Sequence, residues 1–356
     1  MRRWILLAML LCLPTGSVFA QGAAPVPAAQ AMTAEPASIT QPDAVRDDEV
    51  VDLDTIVVSG VQPGPGLWKV SKGDHVLWIL GTLSPLPRRM QWQSERVERV
   101  IASSQEVLAS PSVKLDANVG VFRGLFLLPS LFKARRNPDG RSLQQVVSAA
   151  EYARWQALKA RYIGRDRGIE QWRPVFAALE LYEKAIARSG LSQKGVVAPV
   201  VKSAARRNKV KITEPKVEVK IPNAKQALRE FSDVTLDDGE CFRKTLDRIE
   251  GDLDRMAARA NAWAIGDIDA LSGLPEAGQY TACVAAFTEA SLARRVGIDD
   301  MPRRVRDAWM AAAESALQSN ASTFATLPIV FLLRDDDIPA RLRAKGYTVE
   351  APVRAP

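Results

Sequence analysis

The sequence predicts a mixed α/β fold. A central mixed sheet is built from N-terminal and C-terminal strands, and a large helical insertion lies between them. Three observations carry this expectation. Residues 67–71 and 75–81 are β-prone runs joined by Lys72-Gly73-Asp74, a turn tripeptide. Residues 324–333 and 347–350 are β-prone runs at the other end of the chain. Between the two ends, the segments from 143 to 317 repeat their apolar residues at helical spacing. Strands at both ends that bracket helices give one sheet assembled from both termini, with the helices packed around it.

The elements follow in order. Residues 93–104 are expected to be a helix with Val97, Val100 and Ile101 on one face, and 106–109 a short strand. The apolar stretch 119–131 is expected to be a helix that ends at Pro129 or soon after, with Phe122, Leu125, Phe126 and Leu128 in the core. Residues 143–161, 169–188 and 197–207 are expected helices, with Gly164, Gly168 and Gly190 as stops. Residues 210–213 form a strand. Helices over 223–231, 239–265, 279–295 and 303–317 complete the block. A buried strand is expected over 324–333, then a helix over 338–345, Gly346, and a last strand. Asp335-Asp336-Asp337 favour the N-terminus of that helix rather than form a hard-cation cluster.

The first twenty residues read as a secretory signal. Arg2 and Arg3 form the positive region, residues 4–13 the apolar core, and Val18-Phe19-Ala20 a small-residue cleavage site. The apolar run is short for a bilayer span, and the mature chain carries no later transmembrane segment. A cleaved chain would reside in the periplasm or be secreted, which leaves nucleic acid out as a partner. Cys241 and Cys283 are the cysteines beyond the signal, and an even pair in an oxidising compartment favours a disulfide between two helices. Closing a loop of that length is worth about 4 kcal/mol on the chain-entropy estimate.

Residues 21–50 are Ala-, Pro- and Gln-rich and cannot bury enough apolar surface to offset ordering, so 21–60 is expected to be an acidic linker. It holds seven acids and one base within 21–60, whereas 61–356, the single folded domain, holds 45 bases and 34 acids, a balance of +11. A basic exported domain suits acidic polysaccharide or anionic headgroups. Residues 52–60, Asp52-Leu53-Asp54-Thr55-Ile56-Val57-Val58-Ser59-Gly60, resemble the TonB box of outer-membrane receptors. That resemblance implies a TonB contact from Asp54 to Gly60 by strand addition.

Leu67-Trp68-Lys69-Val70, followed by Trp78-Ile79-Leu80-Gly81-Thr82-Leu83-Ser84-Pro85-Leu86-Pro87, resembles the opening of the TraB/GumN family, which is distantly related to the Tiki metalloproteases. Trp92, Ala262-Trp263-Ala264-Ile265-Gly266-Asp267, Arg294-Arg295 and 342–349 extend the resemblance over most of the folded part. The family's Gly-Thr-x-His motif would place a metal-binding histidine where Ser84 stands. Its second histidine motif falls at 327–334, which has neither glycine nor histidine. The acid expected on the strand after the first helix is missing from Val107-Leu108-Ala109-Ser110, and Glu214, after Lys211-Ile212-Thr213, is the one carboxylate the resemblance carries over.

A catalytic divalent ion needs about three protein ligands. The chain has one histidine, His75, so no metal and no other cofactor is expected. His75 lies on the order of 20 Å or more along the strand from Ser84, at about 3.3 Å per residue, which excludes a Ser–His pair. Trp68, Trp78 and Trp92 sit on strand-like alternation and read as core before sugar platforms. The leading expectation is therefore a cell-envelope binding or accessory protein that has lost metal-dependent hydrolase activity, a pseudoenzyme. The second is an active metalloprotease-like or serine-type hydrolase with a rearranged site that draws on Gly81, Thr82, Ser84, Glu214 and Arg295. The third is an envelope protein that works through its TonB-box-like segment.

Overall fold

The computed structural model describes residues 64–352, apart from 118–120, 252, 274–278 and 335–336. The signal, the linker and the TonB-box-like segment lie outside the described residues, as do Asp335 and Asp336. The chain is a mixed α/β structure. It begins with β1 (Leu67–Lys72), β2 (His75–Thr82), β3 (Leu86–Pro87), α1 (Glu95–Ala102), β4 (Glu106–Leu108), β5 (Ser112–Asp116) and α2 (Val121–Ala134). The helical block opens with α3 (Leu143–Val146), α4 (Ala149–Tyr162), a 3-10 turn (Gly168–Gln171) and α5 (Pro174–Arg188). Then come β6 (Leu191–Ser192), α6 (Val197–Arg207), β7 (Lys211–Thr213), β8 (Lys216–Lys220) and α7 (Ala224–Asp233). The rest is α8 (Gly239–Gly251), α9 (Leu253–Ala264), α10 (Ile268–Gly273), α11 (Gln279–Thr288), α12 (Ser291–Val296), α13 (Met301–Ser319), β9 (Ser322–Pro328), α14 (Val330–Leu333), α15 (Ile338–Ala344) and β10 (Thr348–Glu350).

The six-stranded sheet runs β10-β1-β2-β9-β4-β7. β1 pairs antiparallel with both β2 and β10, whereas β2, β9, β4 and β7 run parallel. The sheet is thus mixed and built largely from both chain ends, as the sequence predicts, with β7 added from within the helical block. Gly73, at φ +59°, supplies the left-handed turn between β1 and β2. β9 lies inside the sheet and is covered on both faces, so Phe324 to Leu327 are all buried.

Several boundaries differ from the sequence expectation. Pro129 lies inside α2 and does not close it. The expected helix over 143–161 breaks at Val147, because Ser148 and Glu151 form a capping box that starts α4 afresh. The helix expected from 169 starts instead at Pro174, a proline at its first position. The expected helix over 279–295 is two helices, α11 and α12, with Ala290 as the N-cap of the second. The expected strand over 324–333 ends at Pro328, and 330–333 form a helical turn. β3 and β6, and the parallel pair β5–β8, were not anticipated. Asp337 sits at the N-cap position of α15 without a side-chain cap bond; its carboxylate lies 3.9 Å from Arg306.

The largest core cluster surrounds the sheet and includes Trp68, Ile79, Leu80, Trp263, Trp309 and Phe324. A second lies among α4, α5 and α8 around Trp155, Leu181 and Phe242. A third holds Phe176 with Cys241 and Cys283, whose sulfurs lie at disulfide distance, 2.02 Å. Smaller still is the cluster beneath β5–β8, where Val217 and Val219 meet Met301 of α13.

Candidate functional site

Four parallel strands aim their C-terminal ends at one edge of the sheet, the usual place for a ligand in such folds. β2 delivers Gly81, Thr82 and Ser84 there, β9 delivers Thr326 and Ile329, β4 leads to Ser110, and β7 leads to Glu214. Ser84, Ser110 and Glu214 therefore follow parallel strands at the same edge.

Gly81 is required by packing. A Cβ there would lie 2.9 Å from Cγ1 of Ile329 and 3.1 Å from the Trp68 ring. The Gly81 carbonyl accepts a 2.8 Å hydrogen bond from the indole N–H of buried Trp263. Trp263 in turn meets Trp92 edge-on, with ring centroids 6.0 Å apart. Gly266, at φ +70°, turns tightly against the backbone of Gly64 and Gly66, and Gly64 N–H donates to the Ala264 carbonyl at 2.8 Å. The Gly81 and Trp263–Gly266 segments, far apart in sequence, thus form one contact. Trp68 and Trp92 are core, as expected, and Trp78 is half-buried against the same cluster.

The contrast with Trp309 gives a direct test of this packing. Trp309 is equally buried, yet among the described residues its indole N–H has no hydrogen-bond partner. Trp263→Phe is expected to cost about 2–4 kcal/mol, because it opens a cavity and strips a buried carbonyl of its donor. Trp309→Phe opens a similar cavity but also removes an unpaired donor, so it should cost about 1–2 kcal/mol less. Denaturant midpoints of the two variants check the order.

The hydroxyls at this edge are engaged with the chain itself. Thr82 Oγ1 donates to the Leu327 carbonyl at 3.3 Å, and Ile329 N–H donates to the Thr82 carbonyl at 2.8 Å. Ser84 is exposed and donates to the Gln193 carbonyl at 3.2 Å; its bond to Pro85 is cis. Ser110 directs its N–H and its hydroxyl to Thr326 Oγ1 at 2.9 and 3.2 Å. Glu214 pairs with Lys216 at 2.8 Å; that hydrogen bond, with Lys202 adding to it, holds the carboxylate below its ordinary range.

Other residues singled out in the sequence lie elsewhere or are occupied. Arg295 pairs with Glu230 of α7 at 3.5 Å rather than with Ser84 or Glu214. Next to the Ser84 turn, Arg88 donates to the carbonyls of Leu191 and Ala187, which pins 86–88 against the end of α5. His75 opens β2, at the edge opposite Ser84, and its Nδ1 donates to the Asn320 carbonyl at 2.8 Å.

The acid missing from Val107–Ser110 has a neighbour at the start of the same strand, because β4 begins at Glu106. Burial raises the Glu106 pKa, but hydrogen bonds from Thr213 and Asn320 and the nearby Lys211 outweigh it and hold the group low. As the first residue of β4, Glu106 sits at the N-terminal edge with His75 and Asn320, away from Ser84. It braces β4, β7 and the start of β9. The strand pattern included it, but only the parallel pairing shows which edge it faces.

A catalytic divalent ion of the metalloprotease kind does not fit these donors. Among the described residues, the edge offers engaged hydroxyls and one lysine-paired carboxylate, while His75, the chain's one histidine, lies at the opposite edge. Among the described residues, no three His, Cys, Asp or Glu side chains converge as a metal cluster would require.

Comparison with curated proteins and comparison with solved structures each gave no match. The sequence model of the TraB/PrgY/gumN family matches residues 66–351, which span β1 to β10 and include the Gly81 and Trp263 segments placed above. On that match the chain belongs to the TraB/PrgY/gumN family.

Proposed function

We propose that this protein is an exported, non-catalytic member of its family that acts as a binding or accessory protein at the cell envelope, with acidic polysaccharide as its partner. One observation carries the reading. Where the family resemblance would place a metal-binding histidine, Ser84 spends its hydrogen bond on Gln193 of the same chain, and Ser110, at the end of the strand that lacks the expected acid, directs its own to Thr326. A catalytic edge instead needs groups that converge on an open position. The secretory-type leader and the cysteine pair at disulfide distance support export. The balance of +11 over 61–356 supports an anionic partner.

The test uses the chain without its first twenty residues on a polyuronate matrix. Retention should fall steeply as salt rises, and no peptide hydrolysis should appear with or without added zinc or manganese. Hydrolysis that Ser84→Ala or Glu214→Gln abolishes would instead establish the rearranged-hydrolase reading. Passage through the matrix at low salt would remove the polysaccharide partner.

A further inference from the structure

We propose that the C-terminal half of α2, with the basic residues after it, is a docking surface for an anionic lipid bilayer. The surface is separate from the C-terminal edge of the sheet and does not depend on whether that edge is catalytic.

α2 reads VFRGLFLLPSLFKA, with Arg123 and Lys133 as its only charges and no acid. A helix that is apolar all round is normally enclosed on every side. Here α2 packs chiefly against α7, and Phe132 is left 60% exposed. Pro129 is also exposed, and Leu128 and Leu131 are half-buried.

A basic collar surrounds this apolar end. Lys133 and Arg136 are exposed. The Arg135 guanidinium lies 5.9 Å from the Phe132 ring and 5.3 Å from the Trp172 ring, so a half-buried cation stands over both aromatic faces. The collar is held in place. Buried Asn137 donates to the carbonyls of Arg141 and Trp172 at 2.9 and 3.2 Å, and Arg173 Nε donates to the Arg136 carbonyl at 3.1 Å. The acids nearby are already engaged: Asp139 with Arg141, and Glu180, which faces Arg135, with Lys184.

Exposed apolar side chains ringed by cations match a surface that is anionic outside and apolar beneath. A second copy of the chain is the poorer occupant. A two-fold contact through Phe132 would set Lys133 and Arg136 of each chain against the same cations of the other.

The test is co-sedimentation of the chain without its first twenty residues with vesicles of phosphatidylglycerol and phosphatidylethanolamine, against vesicles of phosphatidylcholine alone. Binding to the anionic vesicles is expected, with little to the neutral ones. Phe132→Ser should weaken it about tenfold. Lys133→Glu combined with Arg136→Glu should weaken it at least about tenfold and flatten its salt dependence. Both changes are at exposed positions, and thermal melts should match the parent. Three results would overturn the proposal: no binding to anionic vesicles, loss on the charge change with Phe132→Ser inert, or a concentration-dependent dimer that Phe132→Ser abolishes.

Discussion

Arg173→Met is expected to destabilise the protein by about 3–5 kcal/mol, the cost of breaking a buried charged hub. Arg173 is 2% exposed, yet its guanidinium serves four carbonyls. It donates to Arg136 at 3.1 Å, Val234 at 2.7 Å, Phe231 at 2.9 Å and Ser232 at 2.8 Å. Its guanidinium also lies 5.0 Å from the centre of the Phe231 ring. One side chain therefore joins the end of α2, the end of α7 and the start of α5. Loss of the guanidinium would strand several carbonyls away from water. It would also remove the positive charge that favours the ionised form of buried Asp238, whose carboxylate accepts from Val175 N–H at 3.0 Å and is pushed up to about 6 by burial. Arg173→Lys should recover little, because an ammonium cannot span the fork. Denaturant unfolding measures both; a loss under about 1 kcal/mol for Arg173→Met would contradict the hub.

Removing the cysteine pair is the second large effect. Cys241 and Cys283 are buried, 42 residues apart, and join α8 to α11. Cys241→Ala with Cys283→Ala is expected to cost about 2–5 kcal/mol, chiefly by freeing the unfolded chain. Alanine avoids leaving a hydroxyl unpaired in that cluster. Dithiothreitol should lower the parent's unfolding midpoint by a similar margin and leave the double variant unmoved. A parent that responds to neither treatment would show that the two sulfurs are not bonded.

The sequence revealed most where signals are local. The β1–β2 hairpin followed from two β-prone runs around Gly73, and α6 from helical spacing alone. Its failures have physical causes. An apolar run such as 324–333 reads the same as strand or helix, and the switch at Pro328 is set by what β9 packs against. β5 and β8 alternate charged and apolar residues too weakly to stand alone. Their pairing, Lys114 against Glu218 among others, joins remote segments over α13.

The candidate site was legible in part. The Gly81 motif, Ser84 and Glu214 lie at the C-terminal ends of parallel strands, but the sequence could not show why Gly81 must be glycine, because Ile329 and Trp68 reach it from other segments. Nor could it show that Ser84, Ser110 and Glu214 are each engaged with neighbours, or that Glu106 braces the opposite edge.

On the proposed reading, the C-terminal edge of the sheet is not a catalytic metal centre. Elemental analysis of the mature protein, purified without chelators and dialysed against metal-free buffer, tests it most directly. Zinc and manganese are expected far below one equivalent per chain, with no change in the unfolding midpoint on adding either ion. About one tightly held ion per chain, released by chelator with a fall in the midpoint, would contradict it.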